Sequence, residues 1–148
     1  MKKKAEIFMN TKRLIALDYG DRRIGIAVSD LLGITAQPVG FLTVDGKKDA
    51  LLKLKEVFLE YEPYKVVLGL PKNMDGSEGE RAEKTRRFAR FLTEETGLET
   101  DFFDERLTTV YAERTLNSMN VKGKKKTGKK DSLSAVLILQ GYMETHKN

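Results

Sequence analysis

Hydrophobic residues in the first third of the chain fall into short runs that are separated by polar turns. Leu14–Tyr19 and Ile24–Val28 are apolar runs on either side of a charged turn, a pattern typical of a β-hairpin. The segment 35–44, "TAQPVGFLTV", is a weaker third run, and its Pro38 favours an edge strand or a bulge. We therefore expect three consecutive strands, of which the first two form a hairpin.

Helical periodicity is clear in the segment Asp49–Tyr61. Leu51, Leu54 and Phe58 recur there at a spacing that places them on one face of an amphipathic helix. The next segment, "KVVLGLP" at 65–71, is a short apolar run that ends in a break, as in a central parallel strand. This part of the chain predicts a helix followed by a buried strand.

The second half of the chain continues the alternation of helices and strands. Ser77 and Glu80 form a capping-box pattern, which predicts a helix that runs to about Glu95 and is stopped by Gly97. The remaining predicted elements are a strand at 99–105 and helices at 108–119 and 131–145. A hairpin unit followed by alternating elements predicts an α/β fold, in which helices pack against a mixed sheet.

Length and composition fit one compact domain. The chain has 148 residues, 40% hydrophobic and 33% charged, so we expect a single domain at 1–148 with residues 1–12 as a flexible basic tail. There is neither a bilayer-spanning run nor a signal-peptide core, which predicts a cytoplasmic protein with no membrane partner. The chain lacks cysteine, and His146 is its one histidine, so thiolate catalysis, histidine triads and multi-histidine metal sites are excluded.

The net charge of +5 is concentrated in the segment 121–130, "VKGKKKTGKK". Its six lysines are Lys122, Lys124, Lys125, Lys126, Lys129 and Lys130. A basic loop of this kind favours a polyanionic partner such as nucleic acid, although a hydrated loop that binds nothing has the same composition. Arg22 and Arg23 in the hairpin turn could contact substrate phosphates, or they could pair with Asp21 and Asp30.

Acidic residues occur where apolar elements meet loops. They are Asp18 at the end of the first strand, Asp104 and Glu105 at the end of the fifth, and Asp131 at the start of the last helix. Open α/β sheets bind ligands at the carboxyl ends of their parallel strands. Convergent carboxylates without histidine or cysteine indicate magnesium or manganese, because like charges in contact need a cation to neutralise them. Each acid alone has a simpler explanation, as a turn residue, an ion-pair partner or a helix cap.

The register of the hairpin determines which residue lies opposite Asp18. If Asp21 and Arg22 form the turn, Asp18 lies opposite Gly25. A glycine at that place leaves room for an ion or a phosphate to approach the backbone. The alternative is a longer loop with a shifted register, since Asp-Arg is not a favoured two-residue turn.

Four motifs extend over nearly the whole chain. They are "ALDYGDRRIGIAVSD" at 16–30, "VVLGLPKNMDGSEGERA" at 66–82, "DERLTT" at 104–109 and "DSLSAVLILQGYME" at 131–144. Together, and in this order, they resemble the YqgF family of ribonuclease-H-like proteins. The resemblance implies a ribonuclease-H-like sheet of five strands, three antiparallel and then parallel, with flanking helices. It also implies that Asp18, Glu105 and Asp131 are catalytic acids that hold Mg²⁺ or Mn²⁺; the choice of Glu105 over Asp104 depends on the resemblance alone.

Two activities are attributed to that family: Holliday-junction resolution and maturation of the 5′ end of pre-16S rRNA. The resemblance therefore implies a metal-dependent nuclease that hydrolyses phosphodiester bonds in structured RNA or DNA, with pre-ribosomal particles among its partners. A resolvase is expected to be a homodimer because it cuts two strands symmetrically, whereas an rRNA-trimming enzyme could be a monomer.

Two further hypotheses stay open. The first is a noncatalytic nucleic-acid-binding module, in which the lysines supply the affinity and the acids are structural. The second is a sugar or acetate kinase of the actin-like class, because the segment 18–30, "DYGDRRIGIAVSD", resembles the phosphate loop of that class. Such kinases enclose the nucleotide between two domains, and 148 residues are too few for two.

Overall fold

The computed structural model describes residues 13–108 and 132–146. These residues contain a five-stranded sheet with the strand order β3-β2-β1-β4-β5. The strands are β1 (Leu14–Tyr19), β2 (Arg23–Ser29), β3 (Ala36–Thr43), β4 (Lys65–Leu70) and β5 (Glu99–Asp104). β2 is antiparallel to both β1 and β3, whereas β4 is parallel to β1 and to β5. The predicted α/β fold with a mixed sheet is confirmed.

Within the described residues, helices cover both faces of the sheet. They are α1 (Lys47–Tyr61), α2 (Glu80–Thr96) and α3 (Leu133–Thr145). α1 and α2 pack on one face, around the fully buried Leu17 and Leu54, and α3 packs on the other, around Ala16 and Ile138. β1 is apolar at consecutive positions because both of its faces are covered. None of the helices in this part of the chain is long and apolar enough to cross a membrane.

A two-residue turn closes the β1–β2 hairpin, as one of the two predicted registers requires. The Gly20 amide donates a hydrogen bond to the Arg23 carbonyl at 2.9 Å. Asp18 therefore pairs with Gly25, and the longer loop is wrong. On β3, at the edge of the sheet, the register against β2 shifts beside Pro38, which confirms the predicted irregularity.

The start of α2 differs from the prediction. α2 begins at Glu80 with Gly79 as its N-cap and without a side-chain cap. The Ser77 hydroxyl instead donates to an Asp75 carboxylate oxygen at 2.6 Å, and the Ser77 amide donates to the same oxygen at 2.9 Å. The predicted capping box is wrong because Ser77 bonds locally within the preceding loop. Gly97 ends the helix as predicted, in the left-handed conformation with φ of 79°.

β5 ends one residue earlier than predicted. A 3₁₀ turn (Glu105–Leu107) follows it, and an Asp104 carboxylate oxygen accepts a hydrogen bond from the Arg106 amide at 3.0 Å. Glu105 is therefore the first residue beyond the strand, at the carboxyl edge of the parallel part of the sheet. The helix predicted at 108–119 and the basic tail at 1–12 lie outside the described residues, apart from Thr108.

Candidate active site

Asp18 lies near the carboxyl end of β1, the central strand of the sheet. Side chains alternate along a strand, so Asp18 is on the same face as Ala16, which packs against α3. The residue is half-buried and has a hydrogen bond with the Ser134 side chain in the first turn of α3. Burial raises the pKa of Asp18 above its ordinary value, although the Arg81 guanidinium and the Ser134 hydroxyl act in the opposite direction.

Glu105 reaches back from the end of β5 over the neighbouring strand β4. Its side chain occupies the space above Gly69: a Cβ placed on that glycine would lie 2.6 Å from the Glu105 Oε2 atom and would also meet Ile138 of α3. Because β4 lies between β5 and β1, this position brings Glu105 toward Asp18. The absence of a side chain on Gly69 is therefore what lets an acid from β5 approach an acid from β1.

The two carboxylates share one half-buried site. Burial, and secondly the negative charge of Asp18, raise the pKa of Glu105 to about 7. The Arg81 guanidinium opposes this shift only in part. Two carboxylates in this arrangement resist simultaneous ionisation unless a cation neutralises them. Oxygen donors of this kind suit hard divalent cations, so the pair fits a magnesium or manganese site.

Asp104 and Glu105 are adjacent in the chain but have different partners. Arg106 donates from Nη2 to Asp104 Oδ2 at 2.6 Å and from Nε to both carboxylate oxygens at 3.0 and 3.1 Å. These hydrogen bonds hold the pKa of Asp104 below its ordinary value despite partial burial. Phe103 of β5 packs on the α3 face, so strand alternation places Asp104 on the opposite one. Of the two acids, Glu105 is the one that lies beside Asp18.

Several predicted site residues lie outside the described residues. They are Asp131 and the lysines Lys122, Lys124, Lys125, Lys126, Lys129 and Lys130. Within residues 13–108 and 132–146, no group of three or more aspartate, glutamate, histidine or cysteine side chains is placed to hold a metal ion. Two of the three predicted acids are thus described, and they are close together.

Arg22 and Arg23 lie in and beside the hairpin turn that follows Asp18, and both are exposed. The Arg23 guanidinium stacks over the Phe41 ring at 4.1 Å from its centroid. The predicted alternative partners have other contacts: Asp21 forms an ion pair with Lys84 at 3.7 Å, and Asp30 accepts hydrogen bonds from the amides of the β2–β3 turn. Because the hairpin turn directly follows β1, the two arginines lie at the same edge of the sheet as Asp18.

Sequence reasoning missed three contributors to this site: Gly69, Ser134 and Arg81 as a neighbour of both acids. A glycine inside an apolar strand is a signal of close approach, so Gly69 could have been found from the sequence. Ser134 follows Asp131 by three residues, about one helical turn, which was also readable. The proximity of Arg81 depends on how α2 packs against the sheet, and no local pattern reveals it.

Sequence comparison matches most of the chain to one family. Residues 12–145 match the RuvX family model, described as Holliday junction resolvase. A relative from Clostridioides difficile is 46% identical over 132 residues, which cover 89% of this chain and 94% of the relative. One from Lactococcus lactis is 47% identical over 136 residues, covering 90% and 95%. Both relatives bear the name "Putative pre-16S rRNA nuclease".

Solved structures with the same fold share little sequence with this chain. Thermus thermophilus RuvC in complex with a Holliday junction substrate aligns with a TM-score of 0.60 at 12% identity, covering 90% of this chain and 96% of that one. The fowlpox virus resolvase with junction DNA aligns with a TM-score of 0.55 at 13% identity, covering 92% and 99%. The ribonuclease-H-like fold and the predicted resemblance to the YqgF family, which is the RuvX family, are confirmed. The chain belongs to the RuvX family of Holliday junction resolvase-like nucleases.

Proposed function

We propose that this protein is a divalent-metal-dependent nuclease that hydrolyses phosphodiester bonds in structured RNA and matures the 5′ end of pre-16S rRNA. The observation that carries the proposal is the approach of Glu105 to Asp18 over Gly69 at the carboxyl edge of the sheet. The names of relatives that are 46–47% identical over most of the chain favour pre-16S rRNA as the substrate.

The donor set supports a hard cation. Asp18 and Glu105, together with Asp131, would hold Mg²⁺ or Mn²⁺ through carboxylate oxygens. A bound divalent cation lowers the pKa of water and stabilises negative charge on the phosphate oxygens. The chain's own contribution is to keep two half-buried carboxylates side by side, at a cost in repulsion that cation binding would relieve.

Basic residues around the acids would hold the polyanion. The Arg81 guanidinium lies close enough to Asp18 and Glu105 to lower the pKa of both, so it is suitably placed to attract a phosphate brought to that site. Arg22 and Arg23 lie at the same edge of the sheet, and the lysines of 121–130 would add sequence-independent affinity. The described residues present no histidine at this edge, so the attacking water would not depend on a histidine base.

The test is cleavage of an RNA that carries the 5′ leader of 16S rRNA. We expect wild-type protein to cleave it in Mg²⁺, and Asp18→Asn and Glu105→Gln each to reduce the rate by at least about 100-fold. Asp21→Asn is the matched control, because Asp21 is an exposed acid three residues from Asp18. Equal cleavage by wild type and Asp18→Asn, or cleavage without divalent metal, would contradict the proposal.

A second candidate function is Holliday-junction resolution. The family model carries that description, and the fold is shared with two resolvases solved with junction DNA. Four-way junction DNA in the same assay separates the candidates. Paired symmetrical cuts by a dimeric protein would favour the resolvase, and cleavage of the RNA by a monomer would favour rRNA maturation. Tight binding of either substrate without cleavage would favour the noncatalytic module.

A further inference from the structure

A row of residues crosses the sheet on the face that carries Asp18. Asp18 of β1 pairs with Gly25 of β2, and Gly25 pairs with Phe41 of β3. Residues that lie directly opposite each other on antiparallel strands have their side chains on the same face. The next row agrees with this assignment, because Ile24 and Leu42 both pack into the core under α1 and α2. Phe41 is therefore on the same face as Asp18.

Gly25 places no side chain between the acid and the aromatic ring. Neighbouring strands lie about 4.8 Å apart, so the backbone of Phe41 is roughly 10 Å from that of Asp18. A group at this place is close enough to contact the nucleotide next to one whose phosphate lies at Asp18. The sheet register thus brings the surroundings of Phe41 within one nucleotide of the candidate metal site.

The exposed side chain of Arg23 extends over the Phe41 ring. Arg23 is two residues before Gly25 on β2, so both have the same face of the strand. The guanidinium carbon is 4.1 Å from the ring centroid, and long side chains reach such diagonal neighbours across a strand pair. Attraction between the cation and the ring face favours this stacked position. Phe41 therefore holds a positive charge on the face that carries Asp18.

The adjacent arginine has different surroundings. Arg22 lies in the hairpin turn and lines a surface cavity of about 330 Å³ with the start of α1, which packs on the opposite face of the sheet. The cavity is also lined by three acids and one further cation, which are Asp21, Asp45, Asp49 and Lys53. A phosphate brought to this cavity would meet the negative charge of the acids. The surroundings of Arg22 therefore suit a polyanion less than those of Arg23.

We propose that Arg23 binds the substrate phosphate next to the scissile one, and that Phe41 is a positioning residue that holds the Arg23 guanidinium for this contact. The inference rests on the proposed nuclease function and extends it, because it assigns the contact to one of two adjacent arginines and adds Phe41. A planar guanidinium donates two parallel hydrogen bonds to phosphate oxygens. A guanidinium that is already stacked on a ring loses less side-chain entropy when the phosphate binds.

The experiment uses the full chain and an RNA that carries the 5′ leader of 16S rRNA. Binding is measured at several salt concentrations without divalent metal, and kcat and KM are measured in Mg²⁺. We expect Arg23→Gln to weaken binding about fivefold to twentyfold and to lower the slope of log K against log salt by about 0.7 to 0.9, the value for one phosphate contact. KM should rise by a similar factor and kcat should change less than about twofold, because the contact is made equally in the ground state and the transition state.

Arg22→Gln is the matched comparison, since it removes the same charge from the neighbouring residue. It should weaken binding less than about twofold and leave the salt slope unchanged, because a charge that does not touch a phosphate acts only at long range.

The role of Phe41 is tested in two backgrounds. Phe41→Leu keeps an apolar side chain without a ring face, and it should weaken binding about threefold in the wild-type background and not at all beside Arg23→Gln. Phe41→Tyr keeps the ring and should bind as wild type does. A merely structural role would weaken binding equally in both backgrounds.

The outcomes separate the two proposals. If wild-type protein does not cleave the RNA, the proposed function fails and this inference fails with it. If wild-type protein does cleave it, equal losses of affinity in Arg22→Gln and Arg23→Gln would overturn the inference alone. An unchanged salt slope in Arg23→Gln, or equal effects of Phe41→Leu in both backgrounds, would do the same.

Discussion

The side chain of Glu105 lies directly over Gly69, the glycine on the adjacent strand. Glu105 Oε2 would be 2.6 Å from a Cβ at that position, and Glu105 Cγ would be 2.9 Å away. A real Cβ atom essentially never comes within 3.0 Å of a non-bonded heavy atom, so Glu105 can take this position only because residue 69 has no side chain. The position of a candidate metal ligand is thus decided by a residue that has no functional group.

Gly69→Ala should therefore damage the site without touching an acid. The added methyl group must displace Glu105 or Ile138, and we expect metal affinity and kcat/KM each to fall by about 100-fold. Overpacking of this kind should also cost about 1–3 kcal/mol of unfolding free energy. Calorimetric titration with Mg²⁺ and a thermal melt measure the two effects.

The matched control for that substitution is Gly79→Ala. Gly79 is at the N-cap of α2 with φ of −105°, and the nearest atoms to an added Cβ, on Asn73, are 3.8 Å away. This variant should bind metal and cleave RNA as wild type does. Equal metal affinity in the Gly69→Ala and Gly79→Ala variants would contradict the role assigned to Gly69.

The raised pKa of Glu105 predicts how the metal-free protein responds to pH. Burial and the charge of Asp18 raise this pKa from 4.5 to about 7, so the folded state holds the proton more tightly than the unfolded state. The stabilisation is complete below pH 4.5 and is lost as pH rises through about 7. Partial exposure screens the effect, and we expect a loss of roughly 1–2 kcal/mol between pH 5 and pH 8.

Thermal melts in EDTA across that pH range measure this loss. Glu105→Gln should flatten the profile, because an amide does not titrate. Mg²⁺ at pH 8 should restore the wild-type melting temperature and leave Glu105→Gln nearly unchanged. A wild-type profile as flat as that of the variant would show that Glu105 ionises without penalty.

Ser134→Ala should weaken metal binding through Asp18. The Ser134 side chain has a hydrogen bond with Asp18 that acts to lower the pKa of Asp18, so its removal favours the protonated acid and leaves the Asp18 side chain less fixed. We expect about a tenfold loss of Mg²⁺ affinity, measured by calorimetric titration. Thr145→Ala, in the last turn of the same helix, is the control. An unchanged affinity in Ser134→Ala would remove Ser134 from the site.

Much of this site was readable because strand patterns carry its geometry. The two apolar runs predict a hairpin, and a two-residue turn at Asp21 and Arg22 predicts the observed pairing of Asp18 with Gly25, although the sequence left a longer loop open. The identity of the parallel strands followed from fully apolar runs such as 65–71. These are local patterns, and they determined the fold and the edge at which the acids gather.

Other features depend on contacts between distant segments. The spacing of Ser77 and Glu80 predicts a helix cap, but the Ser77 hydroxyl and amide both donate hydrogen bonds to the Asp75 carboxylate instead. The commitment of Asp104 to Arg106, which leaves Glu105 beside Asp18, depends on side-chain rotamers that spacing does not encode. Tertiary packing decides which of the possible hydrogen-bond partners a side chain takes, and local sequence patterns do not predict that packing.

A hydrogen-bond network at the end of the sheet away from Glu105 leads to a prediction about stability that does not involve activity. The buried Tyr142 of α3 donates from its hydroxyl to Asp101 Oδ2 at 2.7 Å and accepts from Lys65 Nζ at 3.3 Å. Burial and this bond to Asp101 raise the pKa of Tyr142 well above its ordinary value, so the hydroxyl stays protonated as a donor. The network joins β4, β5 and α3 at the end of the sheet away from Glu105.

Tyr142→Phe keeps the ring, including its stack on His146 at 3.9 Å, and removes only the hydroxyl. The carboxylate of Asp101 then loses a hydrogen-bond partner in a partly buried place, which should lower the unfolding free energy by about 1–3 kcal/mol. Tyr64→Phe, at an exposed tyrosine beside the same lysine, should change stability by less than about 0.5 kcal/mol. Urea unfolding measures both, and kcat/KM should be unchanged in both. A loss of activity in Tyr142→Phe without a loss of stability would mean that this network reaches the candidate site at Asp18 and Glu105, contrary to its position in the fold.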